Sequence, residues 1–436
     1  MKKGSLKKWM ALLMLMAILL SSASLSLAEA APALKAEEGA EIEVVYWAGS
    51  ESDRAAWELL FKNLAQDHPE IKIVAQEYPS TSFRDALDTR IAGNDWPDVI
   101  RYTYQRLGKF KESDVMLDLT PYIPQENLDD LAPAFLSGCM YEGKLVAMPH
   151  HTDVTAIYYN KKMFADAGIQ IPATIDQAWS WEELTEIAKT LKEKNNLEYA
   201  FGGIWENGSG YRYLPFLYMN GGMLLSEDQK ESRVNSPENL EAIQLYDQWV
   251  KDKLVVNTAF TGKPVTNELF TQGTTAFSFS GSWHCSFMDN NMPDKENWGV
   301  TYMPQRNGRT GTDMGGNGIF AYKNTPYPIA AAIVTEYITS KGQMKAFCEA
   351  GNFIPVRQSL IEEGLDFAQF PEQMKIFMEL AAKIDPKMAA DETSAYFQRI
   401  NDAFSEAMDP LIVNSSATPE EVLEALDMAV QEILSE

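Results

Sequence analysis

Sulfur and imidazole chemistry are nearly missing from this chain. Of 436 residues, 3 are cysteine and 4 are histidine. Cys139, Cys285 and Cys348 stand far apart with no CxxC spacing, which argues against a disulfide framework or a thiolate metal site and leaves buried structural thiols as the expectation. No HExxH, nucleophile elbow, P-loop or dinucleotide fingerprint occurs, so the common hydrolase, nucleotide and redox signatures are absent. Basic residues are also scarce, 37 against 62 acidic, a net charge of −25. Such a field repels nucleic acid and anionic membrane surfaces, so no nucleic-acid partner is expected.

Long apolar runs are missing too. The longest, Met10 to Leu20, falls short of the roughly 20 residues that span a bilayer. It follows Lys2, Lys3, Lys7 and Lys8 and precedes a small polar stretch, Ser21 to Ala30, with an A-x-A site at Ala28-Glu29-Ala30. That is the layout of a secretory signal over residues 1–30. Its removal takes four Lys and one Glu, leaving 33 basic and 61 acidic residues, net −28. No Cys lies at the cleavage point, so the expected location is extracytoplasmic, in a periplasm or at the cell surface, without a lipid anchor. Residues 31–40 lack periodicity and read as a flexible leader. Some 400 remaining residues are too many for one core, so two domains are expected.

What is present is a βαβ grammar. Glu41 to Trp47 alternates as a strand; a polar turn then opens a helix with Trp57, Leu60, Phe61 and Leu64 on one stripe. Strands follow at Ile71–Val74 and from Pro97, with a helix between them bearing Phe83, Leu87 and Ile91. Later, Thr155–Asn160, Thr274–Ser280, Trp298–Tyr302 and Gly318–Tyr322 read as strands. Ser180-Trp181-Glu182-Glu183 is a capping box, and Thr418-Pro419-Glu420-Glu421 caps a last amphipathic helix. The fold class expected is α/β, with mainly parallel sheets flanked by helices.

Five ordered segments carry a resemblance. They are Val45-Tyr46-Trp47 with its polar turn; Ala92-Gly93-Asn94-Asp95-Trp96-Pro97-Asp98-Val99; Tyr141-Glu142-Gly143-Lys144-Leu145 through Pro149, with Tyr159-Asn160 beyond; Phe279-Ser280-Gly281-Ser282-Trp283; and Gly315-Gly316-Asn317-Gly318, with Gly351 to Arg357 after it. In order and spacing the chain resembles the family 1 extracellular solute-binding proteins of ABC transporters, the family that includes maltose-binding protein. The resemblance implies a two-lobed periplasmic-binding-protein-like clamp, with one lobe at residues 41–151 and 303–346 and the other at 153–301 and 347–436. The chain would cross between them near His151-Thr152, near Tyr302 and near residue 347. It also implies a monomer without a cofactor or metal that captures a sugar and hands it to permease subunits, closing by hinge motion around a ligand that touches both lobes.

The residues at the expected cleft suit a sugar independently, because aromatic faces cover C–H surfaces while carboxylates, amides and Arg satisfy hydroxyls. The candidates are Trp47, Ser50 and Glu51 after the first strand; Tyr102 and Arg106 after the third; Asp153 at the first crossing; Trp205 and Tyr211 in a Gly-rich loop; Trp283 after a Gly-Ser turn; and Gly316 with Asn317. By the family's pattern, Asp153 matches an acidic sugar ligand, Trp283 an aromatic platform, Tyr211 a second-lobe tyrosine and Arg106 a basic ligand. Tyr102 stands in place of a tryptophan, Gln105 in place of a carboxylate, and Ser50-Glu51 in place of an acidic–basic pair, which counts against maltose itself. Asp98 reads as a turn or capping carboxylate, and Arg357 as a possible salt-bridge partner. Two other readings stay open: a secreted hydrolase using Asp153 and Glu206 as paired carboxylates, and an adaptor reporting ligand occupancy to a membrane sensor. His150-His151-x-Asp153 could be read as part of a metal site, but a chance cluster is favoured.

Overall fold

The computed structural model describes residues 34–203, 210–256 and 266–436. Nine strands build its two larger sheets: β1 (Glu41–Ala48), β2 (Lys72–Pro79), β3 (Val99–Thr103), β4 (Met148–His151), β5 (Thr155–Asn160), β6 (Phe201–Gly202), β7 (Phe277–Gly281), β8 (Trp298–Thr301) and β9 (Asn317–Ala321). The first sheet runs β2-β1-β3-β9-β4 and the second β8-β5-β7-β6.

The alternation in β1 buries Ile42, Val44 and Tyr46, yet Val45 is buried as well. β1 is an interior strand, paired in parallel with β2 and β3, and in such a sheet helices cover both faces, so residues on either side of the strand are buried. In the first sheet only β9 runs against its neighbours β3 and β4. The second sheet departs from the mainly parallel arrangement read from the sequence: β5 is antiparallel to both β7 and β8, and only β6 and β7 pair in parallel. The reversed strands, β5 and β9, are the ones the chain enters directly from the other lobe. A chain arriving from the cleft side must run opposite to strands that finish there.

Helix ends follow local chemistry. In α1 (Glu51–Asp67) the Ser50 hydroxyl accepts the Asp53 N–H at 3.1 Å, while Ala56, Trp57, Leu60 and Leu64 face inward. Capping boxes start α2 (Trp181–Lys194) at Ser180/Glu183 and α4 (Pro419–Ser435) at Thr418/Glu421. The start of α3 (Pro328–Thr339) is held from outside: the Glu37 carboxylate accepts the N–H groups of Ile329 and Ala330, both at 2.9 Å. With Ala40 buried, the chain from Glu37 onward belongs to the fold rather than to a flexible leader. A carboxylate that accepts the otherwise unpaired N–H groups of a helix N-terminus fixes it there.

Each sheet has its own core. Ile42, Val44, Leu60, Ile100, Ile319 and Val334 belong to the first, and Ile157, Leu184, Trp249, Phe277, Leu411 and Leu426 to the second. This packing moves one expected crossing. Met303 lies in the second core and Met314 in the first, so the chain returns between them, just after Tyr302. Phe347, Cys348, Val356 and Leu360 remain in the first core, which puts the last departure beyond residue 347. At the waist, Thr152 and Ile354 exchange backbone hydrogen bonds of 2.8 and 3.0 Å, lacing the first crossing to the Phe353–Val356 segment. All three cysteines are buried and free.

Candidate ligand-binding site

A cavity of about 400 Å³ lies where the two sheets face each other. Trp47 comes from the end of β1, Arg101 and Thr103 from β3, Asn317 from the start of β9, and Trp283 from just beyond β7. In the first sheet these are mostly carboxyl ends of strands, the usual ligand position in open α/β sheets. Gly281 lets Trp283 take its place: a Cβ there would lie 1.6 Å from the Trp283 ring. Any other residue would push the indole out of the cavity wall.

Both tryptophans are half-buried, and each is backed by an arginine. The Arg101 guanidinium lies 4.4 Å from the Trp47 ring centre, and that of Arg212 lies 4.2 Å from Trp283. Each cation is matched by acid. Arg101 pairs with Asp53 at 3.0 Å, both side chains almost wholly buried. Arg212 pairs with Asp313 at 2.5 Å and approaches Asp153 at 3.8 Å. With the guanidinia so occupied, the cavity presents flat aromatic faces and hydrogen-bonding edges more than free positive charge.

The crossings form the floor. Asp153 is buried, and its Oδ1 has no hydrogen-bond partner among the described residues. Burial pushes its carboxyl up to about 6; Arg212 pulls it down and Asp313 raises it. Gly315 and Gly316 pass so near this strand that added Cβ atoms would meet Asp153 Oδ1 at 2.0 Å and the His151 carbonyl at 2.2 Å. Gly316 also has φ +91°, which L side chains rarely adopt. Asn317 Nδ2 lies 3.1 Å from His151 Nε2, while its Oδ1 has no hydrogen-bond partner among the described residues. On the second lobe, His284 Nδ1 lies 2.8 Å from Ser280 Oγ and 3.0 Å from Asn267 Nδ2. Burial, then Arg212, lowers His284 to about 4, so the ring is neutral at pH 7.

Of the residues singled out from the sequence, Trp47, Asp153, Tyr211, Trp283, Gly316 and Asn317 meet at this cavity. Trp205 lies outside the described residues. Four candidates are elsewhere. The Ser50 hydroxyl is committed to capping α1, and Glu51, the first residue of α1, is exposed. Tyr102 points to the opposite face of β3 from Arg101 and Thr103, packing edge-on against Phe110 at 5.0 Å. Arg106 sits in the turn after β3, off the cavity wall. Gln105 reaches across the seam between lobes to Glu392 Oε2 at 3.0 Å. Asp98 accepts the Glu43 N–H and the Thr325 hydroxyl, and Arg357 donates to the carbonyls of Thr339 and Asn127. Both are structural. The His150–His151 pair is packed among Trp57, Phe347 and Phe353, and burial lowers both rings well below their ordinary range.

Sequence reading missed Asp53, Arg101, Arg212 and Asn267. The available signal was a charged residue in the middle of Val99-Ile100-Arg101-Tyr102-Thr103. A lone Arg inside an apolar strand requires a buried acid, and Asp53 supplies it.

The comparisons agree with this architecture. The model of the bacterial extracellular solute-binding protein family matches residues 48–345. The chain belongs to that family. Within it, the chain is 22% identical to the maltotriose-binding protein of Pyrococcus abyssi over 228 residues, 51% of this chain and 46% of that protein. Thus it spans under half the length of that relative. It is 22% identical to the arabinooligosaccharide-binding protein of Halalkalibacterium halodurans over 415 residues, 90% of each. Among solved structures, the GacH receptor of Streptomyces glaucescens, determined unliganded and with acarbose, superposes with a TM-score of 0.78 at 21% identity, covering 92% of this chain and 100% of that one. This solute-binding protein therefore has the two-lobed clamp fold.

Proposed function

We propose that this solute-binding protein captures a sugar or oligosaccharide between its lobes outside the cytoplasm and delivers it to the permease of an ABC importer. The observation that carries the reading is the pair Trp47 and Trp283, one from each lobe, at a single cavity whose remaining wall mixes further aromatic rings with hydroxyl, amide, imidazole, carboxylate and acid-paired guanidinium groups. Flat faces matched to polar edges are what a pyranose or furanose ring needs. The names of the two relatives, both oligosaccharide binders, support the same ligand class. In this reading the protein is a monomeric binder that needs no cofactor and performs no catalysis, and Trp47, Asp153, Tyr211, Trp283, Gly316 and Asn317 contact the ligand.

A thermal-shift screen across mono- and oligosaccharides tests it. A ligand that binds only the folded state at a hundred times its Kd stabilises by about 2.7 kcal/mol, which is a rise of several degrees in Tm. Incubation of each hit followed by product analysis separates binder from hydrolase. A panel with no shift, or a hit that is cleaved, contradicts the reading.

A further inference from the structure

Arg212, which the family pattern did not point to, meets several parts of the site at once. Its guanidinium covers Trp283 at 4.2 Å and Tyr211 at 4.9 Å. The same group pairs with Asp313 at 2.5 Å, approaches Asp153 at 3.8 Å and donates to the Thr155 hydroxyl at 3.3 Å. Asp153 and Asp313 belong to the two segments by which the chain leaves and re-enters the first lobe. Those segments are laced to each other: the Thr155 N–H donates to Asp313 Oδ1 at 2.9 Å, and the Gly315 N–H to the Asp153 carbonyl at 2.9 Å. One planar cation thus joins the aromatic wall of the cavity to the pair of strands about which the lobes would turn.

We propose that Arg212 is the positioning residue that couples occupancy of the Trp283 face to the relative setting of the two lobes. A guanidinium is suited to this, because its face stacks on rings while its edge forks to carboxylates; an ammonium does only the second. A ring pressed on the free face of Trp283 limits where the indole and Arg212 can move. That restraint passes to Asp153 and Asp313, so the closed arrangement is favoured when the cavity is filled. Coupling of this kind needs a differential interaction in two states, which a shared cation between platform and crossings provides. The inference rests on the sugar-capture reading for the identity of the occupant, but not for the linkage.

The test uses the full chain with spin labels on exposed Lys62 of α1 and exposed Lys189 of α2, each replaced by Cys, and reads the inter-lobe distance distribution. Maltotriose serves as the probe. In the otherwise unaltered protein, saturation should narrow the distribution to one population. Arg212→Met should bind maltotriose at least tenfold more weakly and keep its ligand-free breadth even at saturation. Arg212→Lys, which retains the charge, should fall between them and guards against a folding defect. An Arg212→Met protein that narrows at saturation as the parent does would overturn the proposal. If maltotriose does not bind the parent, that one sugar is excluded and the panel still tests the sugar reading, while the ligand-free arm still decides the linkage. There, Arg212→Met should broaden or shift the distribution, and coincidence with the parent refutes the coupling.

Discussion

Replacing Trp283 by Ala probes the platform directly. The indole is half-buried, with one face covered by Arg212 at 4.2 Å, so a ligand can reach only the other face. A tryptophan buries up to about 250 Å² in full. One free face is then roughly 100 Å², and at about 25 cal/mol per Å² its loss removes about 2.5 kcal/mol of binding. That is close to a seventyfold rise in Kd. Isothermal titration of the best sugar from the screen measures it, with circular dichroism verifying that the variant is folded. The fold should survive, because the half-buried ring lines the cavity and packs only against the margin of the first core. A Kd within fivefold of the parent would refute the stacking argument, and a variant that fails to fold would refute the placement.

Three further outcomes follow from the electrostatics and the backbone. Asp153 has a folded-state value near 6 against 3.8 for the free side chain. Its raised value makes the folded state hold the proton more tightly, so its contribution is most favourable below pH 4 and is lost as pH rises through 6; the change is about 3 kcal/mol at most. Urea unfolding at pH 4.5 and 7 should show a smaller difference in Asp153→Asn than in the parent, and an equal one would sink the assignment. Asp391, also pushed to about 6 by burial, adds a slope of the same sign that remains in the variant. Arg101→Met strands Asp53 without its cation and should cost about 3–5 kcal/mol in chemical denaturation; adding Asp53→Asn should recover part of the loss. Gly316→Ala must fit a Cβ 2.2 Å from the His151 carbonyl at φ +91°, so a Tm drop corresponding to at least about 2 kcal/mol is expected, and an unchanged Tm would contradict the close approach.

The fold was legible where physics is local. Ser180/Glu183 and Thr418/Glu421 are capping boxes because three-residue spacing suffices, and the α1 stripe follows from helical periodicity alone. Strand direction was not legible: nothing within Thr155–Asn160 says that β5 runs against β7, because that depends on the side from which the chain arrives. The cavity residues divide the same way. Trp283 was accessible through its Gly-Ser turn, and Asp153 through its place at a crossing. Tyr102 and Arg101 were exchanged because β3 is buried on both faces, so apolar alternation cannot tell which face meets the cleft. Ser50 looked like a ligand because the same hydroxyl chemistry serves a helix cap and a sugar. Arg212 escaped notice because its partners, Trp283, Asp153 and Asp313, lie 71, 59 and 101 positions away in sequence and are gathered only by the tertiary fold.

The central claim is that one ligand is held by both lobes at once, between the two tryptophans. A crystal structure of the complex with the best sugar of the screen tests it most directly. The account predicts sugar density in the cavity, with a ring on the Trp283 face opposite Arg212 and contacts from the Trp47 side of the cleft. Density confined to one lobe, or bound away from both indoles, would contradict it.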